Sequence, residues 1–379
     1  MRHGRFSLMD CLDELEDPRN ASNGTLYDFR ELLVIAICAS LCDMDTCEDF
    51  SFWAEARQPW LKKFLTLKNG IPSSATFYRL FRALDPKQFE AFFRRWVSQI
   101  VPAAAPPGQM AIDGKTIRGS ADGARRPAHI VSAFSTDLGI VFGQERVEQK
   151  SNEITAIPEL LEALYVKGFL VSIDAMGCQK EIARKIIDKG GDYLLMVKGN
   201  QPALLEKISA AFSTENRADM PRFEHLDTRH GRVVSQLTWT APATQTAIDR
   251  QEWPQCKTIA MVASLRQVGG KTGDLEQRYY ISSRELTPEA MAKAVRDHWA
   301  VENKLHWMLD VNFSEDACMV KKDNAPEILS LIRRVVINML SLDTTQPSFT
   351  KKKLSKRQKR KFANWDESIM RSILGIQPL

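Results

Sequence analysis

The 379-residue sequence predicts an α/β protein: an all-helical N-terminal region, then a mixed-sheet core interrupted by a β-rich stretch. Three observations predict it. Up to about residue 100, apolar residues recur at helical spacing with little β-branched alternation. From residue 109, short apolar runs alternate with amphipathic ones, as strands and helices do in a sheet covered on both faces. That pattern breaks near residue 205 and resumes near 275, with polar, mixed sequence between.

In the first region, helices are expected over residues 27–42, 47–67, 74–84 and 86–100. The third follows Gly70-Ile-Pro-Ser73, with Ser73 or Ser74 as its cap, and carries Arg79 and Arg82. Such a helix either enters a DNA groove or packs with its basic face in water. Residues 101–108, rich in proline and alanine, read as a linker.

The core should begin with strands at 110–117, 128–134 and 139–149, forming an antiparallel meander. A helix at 157–164, a strand at 168–173, a helix at 178–189 and a strand at 193–197 come next. Three strands, then helix and strand in alternation, is the ribonuclease H-like layout. The core domain is drawn at 109–345, with an inserted β-rich subdomain at about 205–275. Strands at 233–240 and 256–265 belong to the insertion, as does His230-Gly-Arg232, either a tight turn or a DNA contact. The last helix starts at Thr287, a cap, with Pro288 first in the helix, and should run through Leu309. On it His298, Glu302 and His306 are spaced i, i+4, i+8 and share a face, with Trp299 and Trp307 packing it on the sheet.

Three acids, far apart in the chain, sit where metal ligands are expected. Asp113 interrupts an apolar run, Asp174 ends one, and Glu302 lies on the helix. Two aspartates at strand ends and a glutamate on a helix suit two hard divalent cations acting on phosphodiesters. Asp310, Glu315 and Asp316 compete for the third position, but the face shared with the histidines favours Glu302. A zinc site on His298, Glu302 and His306 lacks the His-Glu-x-x-His order.

The formal charge of +5 is concentrated. Lys351, Lys352, Lys353, Lys356, Arg357, Lys359, Arg360 and Lys361 fall within eleven residues, and without them the charge becomes −3. This basic C-terminal segment, 346–379, is either a polyphosphate-contacting element or a solvated one. No apolar run reaches the roughly 18 residues a membrane span needs. The start of the chain lacks a signal-peptide pattern, and the seven cysteines contain no Cys-x-x-Cys pair, so a reducing cytoplasm is expected. Cys38, Cys42 and Cys47 read as small buried apolar residues.

Several stretches carry a family resemblance: Ala111-Ile-Asp-Gly-Lys-Thr-Ile-Arg-Gly-Ser120, Ile173-Asp-Ala-Met-Gly-Cys-Gln-Lys-Glu-Ile182, Tyr193-Leu-Leu-Met-Val-Lys-Gly-Asn-Gln-Pro202, Arg278-Tyr-Tyr-Ile-Ser-Ser283 and His298-Trp-Ala-Val-Glu-Asn-Lys-Leu-His-Trp-Met-Leu-Asp-Val311. Over nearly its whole length the chain resembles the insertion-sequence DDE transposases, specifically the H-repeat-associated branch found beside Rhs elements. Asp17-Pro-Arg19, Gly70-Ile-Pro-Ser73 and Asp85 are similar to that branch's N-terminal associated domain. The resemblance implies that Asp113, Asp174 and Glu302 are the catalytic triad and hold two Mg²⁺ ions, for which Mn²⁺ substitutes. It implies cleavage at the DNA ends of an element and strand transfer to target DNA, by a homodimer on DNA. Lys115, Arg118, Lys198, Asn200, Arg79, Arg82, Arg232, His298 and His306 are candidate DNA contacts, with Lys351, Lys352, Lys353, Arg357 and Arg360 from the basic segment. Related transposases usually carry a tyrosine and an arginine before the helix glutamate and a lysine after it. Here His298-Trp299 and Leu309-Asp310 stand at those places. A nuclease that cuts without joining strands would show the same acids, and a non-catalytic DNA-binding remnant is a third reading.

Overall fold

A computed structural model describes residues 8–19, 25–100, 108–123, 126–148, 152–228, 231–347 and 350–375. Residues 101–107 of the expected linker, together with Arg229 and His230, lie outside these.

The first part holds α1 (Leu8–Leu12), α2 (Phe29–Leu41), α3 (Cys47–Ala56), α4 (Gln58–Leu61), α5 (Ser74–Ala83) and α6 (Pro86–Ile100). Local chemistry starts these helices. Asp28 accepts the Glu31 N–H, and Thr46 and Asp49 form a reciprocal capping box. From Leu32 to Leu41 every residue of α2 is buried, so it is a core helix.

The sheet begins with β1 (Gln109–Thr116), β2 (His129–Ser135) and β3 (Ile140–Val147), paired antiparallel. After α7 (Glu153–Ala163), β4 (Leu170–Ile173) joins β1 in parallel. After α8 (Lys180–Asp188), β5 (Asp192–Val197) joins β4 in the same sense. The spatial order β3-β2-β1-β4-β5 is the ribonuclease H-like arrangement.

The inserted stretch and its flanks contain α9 (Pro202–Ala211), α10 (Thr214–Arg217), β6 (Arg222–Asp227), β7 (Arg232–Pro242), β8 (Thr258–Val268), β9 (Lys271–Thr272) and, just past it, β10 (Glu276–Ser282). Its strands are continuous with the core sheet. Tyr279 of β10 pairs with Val197 of β5, and β8, β7 and β6 lie beyond it, so the core sheet continues to ten strands. An uncovered β5 would present unpaired N–H and C=O groups, and β10 satisfies them.

The helix after β10 also departs from expectation. It runs as α11 (Pro288–Val301), a five-residue π-turn at Glu302–His306, and α12 (Trp307–Asn312). Trp299 is partly buried against the sheet, but Trp307 is 51% exposed. Beyond it lies α13 (Ala325–Leu342), which is not among the expected elements and is buried on nearly every face. The basic segment is no free tail, because α14 (Lys356–Trp365) and α15 (Glu367–Leu374) pack on the body.

α13 touches α2, α5, α6 and β3, and one apolar cluster runs from Leu8 to Leu374. The change near residue 100 is therefore one of element type, not of packing. On the opposite face α11 sets Met291, Ala294 and Val295 over Leu170, Leu194, Met196 and Tyr280. Among the described residues no helix is long and apolar enough to cross a membrane.

Candidate active site

Sheet register begins the site. Ile112 of β1 pairs in parallel with Ile173 of β4, so Asp113 and Asp174 extend from neighbouring strand positions. Adjacent strands lie about 4.8 Å apart. Asp113 stays within β1, opposite Ser132 of β2, and its side chain is 17% exposed. Asp174 stands one residue past β4, where its Oδ1 accepts the Met176 N–H at 3.0 Å and the Gly177 N–H at 3.3 Å. Both bonds fall on Oδ1, leaving Oδ2 for another partner. A Cβ on Gly177 would collide with Ile173, so glycine lets this turn close against the strand.

The third acid comes from the helix above. Thr287 caps α11 by accepting the Ala290 N–H at 3.2 Å, as its position predicts. The π-turn then places one extra residue in the helix, rotating the residues after it by roughly 100°. His306 thereby faces the sheet and Trp307 faces solvent. His306 Nδ1 lies 3.2 Å from Glu302 Oε2 and 3.6 Å from Asp113 Oδ2. His298 is parted from this group: its Nδ1 lies 3.1 Å from Ser172 Oγ, which also accepts from Gln109 Nε2 at 2.8 Å.

The charges respond to this crowding. Burial raises the Asp113 carboxyl to about 7; Glu302 and Asp174 push the same way, while His306 opposes them. Burial also raises Asp174, with the nearby Glu153 adding to it and the turn N–H groups and Lys198 opposing. Glu302 is held below its ordinary value, mainly by its hydrogen bond to His306. Burial lowers His298 to about 4.

A divalent cation fits this donor set. One ligand atom each from Asp113, Glu302 and His306 lie within 4.8 Å of one another. Burial above all, and then the neighbouring acids, disfavour the charged form of Asp113, and a bound cation would offset both.

Several candidate contacts are buried or already paired. Lys115 is 7% exposed, with Nζ 2.7 Å from Asp310, 2.8 Å from Asp316 and 3.5 Å from Glu315. It neutralises the acids that compete with Glu302 in the sequence and is not free to meet phosphate. Glu315, fully buried, also pairs with Arg334 at 3.3 Å. His298 and His306 are buried and do not present a surface to DNA. Asn200 donates to Ala175 O at 2.7 Å, bracing the Asp174 turn. Arg360, fully buried, bonds Ser40 O, Asp43 and Asp45 and stacks over Phe313. Lys359 is buried beside it and binds Asp343.

Other candidates remain at the surface. Arg118 is 84% exposed near Asp316, and Lys198 is exposed beside Asp174. Lys351, Lys352, Lys353 and Arg357 are exposed. Arg79 is exposed on α5, whereas Arg82 pairs with Asp323 at 2.6 Å. Arg232 starts β7, in the far half of the sheet from Asp113.

Sequence reading missed a second pair at the site. His129 Nε2 lies 2.6 Å from Glu153 Oε1, and a Cβ on Gly114, the residue after Asp113, would collide with both. The signal was present: Asn152 caps α7, so Glu153 opens a helix whose periodicity suggests a start at 157.

Comparison with known proteins identifies the family. The model of the Transposase DDE domain matches residues 105–339, and the one described as DDE_Tnp_1-associated matches residues 9–97. YhhI, an H repeat-associated protein of Escherichia coli strain K12, is 38% identical over 92% of this chain and 93% of its own. YncI of Escherichia coli O157:H7, named as a transposase, is 39% identical over 88% of this chain and 87% of its own. Among solved structures, a piggyBac transposase synaptic complex with hairpin DNA aligns with a TM-score of 0.48 at 12% identity. That alignment covers 99% of this chain and 83% of the other.

Proposed function

The chain belongs to the DDE transposases, and we propose that it hydrolyses phosphodiesters at the ends of a DNA element and joins the freed 3′-hydroxyl to target DNA. The observation that carries this reading is the meeting of β1, the end of β4 and the π-turn. There Asp113 feels the charge of both Asp174 and Glu302, although 189 residues separate Asp113 from Glu302, which supports reading the three as one site. These three acids would hold the divalent metal, Mg²⁺ or Mn²⁺, whose chemistry is to activate the attacking oxygen and stabilise the leaving one.

The chain's own residues would do the rest. The Asp174 turn, braced by Asn200, holds one carboxylate oxygen toward the site while its backbone N–H groups fix the other. Exposed Lys198 lies beside Asp174 and exposed Arg118 beside Asp316, and in this reading both hold phosphates near the scissile bond. Two lysines meet the β2–β3 turn. Lys304, two residues past Glu302, donates to Thr136 O at 3.1 Å, and Lys356, at the head of α14, donates to Gly139 O at 3.1 Å. Lys351, Lys352 and Lys353 lead into that point, so DNA leaving the site along this side would meet them. We take the working form to be a homodimer on DNA.

The test uses duplexes carrying the DNA that flanks the gene, incubated with protein and Mg²⁺ or Mn²⁺. Asp113→Asn and Asp174→Asn keep the shape and remove a charge, and each should slow end cleavage by about 10³-fold or more while retaining DNA binding. Joined products should appear with the wild type. Wild-type cleavage by both variants would rule the mechanism out; cleavage without any joining would reduce it to a nuclease.

A further inference from the structure

We propose that His306 is itself a ligand of the metal centre, supplying an imidazole nitrogen beside the Asp113 and Glu302 carboxylates, and that this donor makes the centre favour Mn²⁺ over Mg²⁺. The inference rests on the reading of Asp113 and Glu302 as metal-holding residues.

Four observations carry it. The first is distance. His306 Nδ1 is 3.2 Å from one carboxylate and 3.6 Å from the other, and the three donor atoms span no more than 4.8 Å. Ligands at about 2.1 Å from one ion lie at most about 4.2 Å apart, so an adjustment of roughly half an ångström closes the set. The second is burial. His306 is 5% exposed, and its Nε2 has no hydrogen-bond partner in the protein. The ring's polar contacts therefore lie wholly on the side of the two acids.

The third is the backbone. The π-turn spans residues 302 to 306, so its ends are the two side chains in question. A π-turn is rare and concentrates at functional sites. Without it His306 would swing by roughly 100° away from Asp113. The fourth is what the ring replaces. In the metal-free arrangement an imidazole N–H occupies the space between two carboxylates, where a cation belongs. On loading, the ring would change tautomer, carrying its proton on Nε2 so that the Nδ1 lone pair faces the ion.

Donor chemistry sets the preference. Mg²⁺ takes oxygen ligands and holds its waters tightly, whereas Mn²⁺, though the weakest nitrogen binder of the first-row series, gives up water for an imidazole more readily than Mg²⁺ does. A centre of two carboxylates and one imidazole should therefore bind Mn²⁺ more tightly than an all-oxygen centre would, with little gain for Mg²⁺. The alternative role for His306 is charge compensation alone, as a hydrogen-bond donor that leaves when the ion arrives.

The experiment reads the ligand directly. Wild-type protein loaded with one equivalent of Mn²⁺ is examined by pulsed electron paramagnetic resonance for ¹⁴N coupling to the metal. Mn²⁺ and Mg²⁺ affinities are measured by calorimetry on wild type, His306→Gln and Asp113→Asn. The proposal expects a ¹⁴N coupling that vanishes in His306→Gln, and a loss of about 10-fold or more in Mn²⁺ affinity with less than about 3-fold change for Mg²⁺. No coupling in the wild type, or a coupling that survives in His306→Gln, overturns it, even if the variant is less stable. Undiminished Mn²⁺ binding by Asp113→Asn would instead overturn the reading of the acids on which the proposal stands.

Discussion

Lys115 comes two positions after Asp113 on β1, so both side chains leave the same face of the sheet. Asp113 meets His306 there, and Lys115 meets Asp310, Glu315 and Asp316, just beyond the π-turn. Burial alone would lower the lysine's pKa, but the three acids outweigh it and the net shift is upward. The cation is thus committed to tying β1 to α12 and the segment after it. Replacing it with methionine would leave those acids without their common partner, at a cost of about 3 to 5 kcal/mol. The melting temperature should fall by roughly 5 to 10 °C, and DNA affinity of the folded fraction should change little. An unchanged melting curve with weakened DNA binding would return Lys115 to the phosphate contacts. No local pattern reveals this role, since Lys115 sits after Asp113-Gly114 like any exposed turn residue and its partners lie about 200 positions later. Asp113, Asp174 and Glu302 could be singled out because each marks the end of an apolar run or a helix face. Glu153, by contrast, hides behind a helix start read four residues late.

At the scale of elements, α14 shows what a dense charge run conceals. Arg360 and Lys359 point into the body, where Asp43, Asp45 and Asp343 receive them, while Arg357 and Lys361 face water. Eight cations in eleven residues leave no apolar stripe for a helical period to show in, so the inward face could not be read from sequence. The two faces should separate experimentally. Neutralising Lys351, Lys352, Lys353 and Arg357 to glutamine should make the slope of log K against log salt shallower by about 3 to 4 units if all four touch phosphate. Melting should hardly move. Arg360→Ala should do the reverse, leaving Asp43, Asp45 and the Ser40 carbonyl unpaired and lowering stability by about 3 kcal/mol or more. A salt slope that stays put in the fourfold variant would show the segment to be merely solvated. The π-turn was equally illegible, because i, i+4, i+8 spacing is what an unbroken helix gives, and the extra residue comes from tertiary fit around Asp113 rather than from local propensity.

For the whole molecule, the core strands and the first helices can be read from period and run length, because a sheet covered on both faces writes itself as short apolar runs. How the parts join could not be foreseen. β10 lies in a stretch whose half-exposed positions weaken its alternation, and α13 carries its arginines inward, where Glu315 meets them. The helical region and the sheet meet again at Glu90 of α6, whose carboxylate accepts the Gln144 N–H of β3 at 2.9 Å and stands 3.7 Å from Arg94. Burial raises this carboxyl to about 8, against the pull of the Gln144 N–H and Arg94. The folded protein therefore keeps a proton that the unfolded chain gives up near the ordinary value of 4.5. Below that value the protonated group costs nothing. As pH climbs from there toward 8, the native state holds more protons than the unfolded one, and stability falls. The loss contributed by Glu90 should approach about 4 kcal/mol at the top of that window. Glu90→Gln presents a permanently neutral side chain of the same shape, so its urea stability should track the wild type near pH 4.5 and exceed it increasingly toward pH 8. Parallel pH profiles for the two proteins would mean that Glu90 is ionised throughout, held by Arg94, and that the joint between helices and sheet is an ion pair rather than a buried neutral acid.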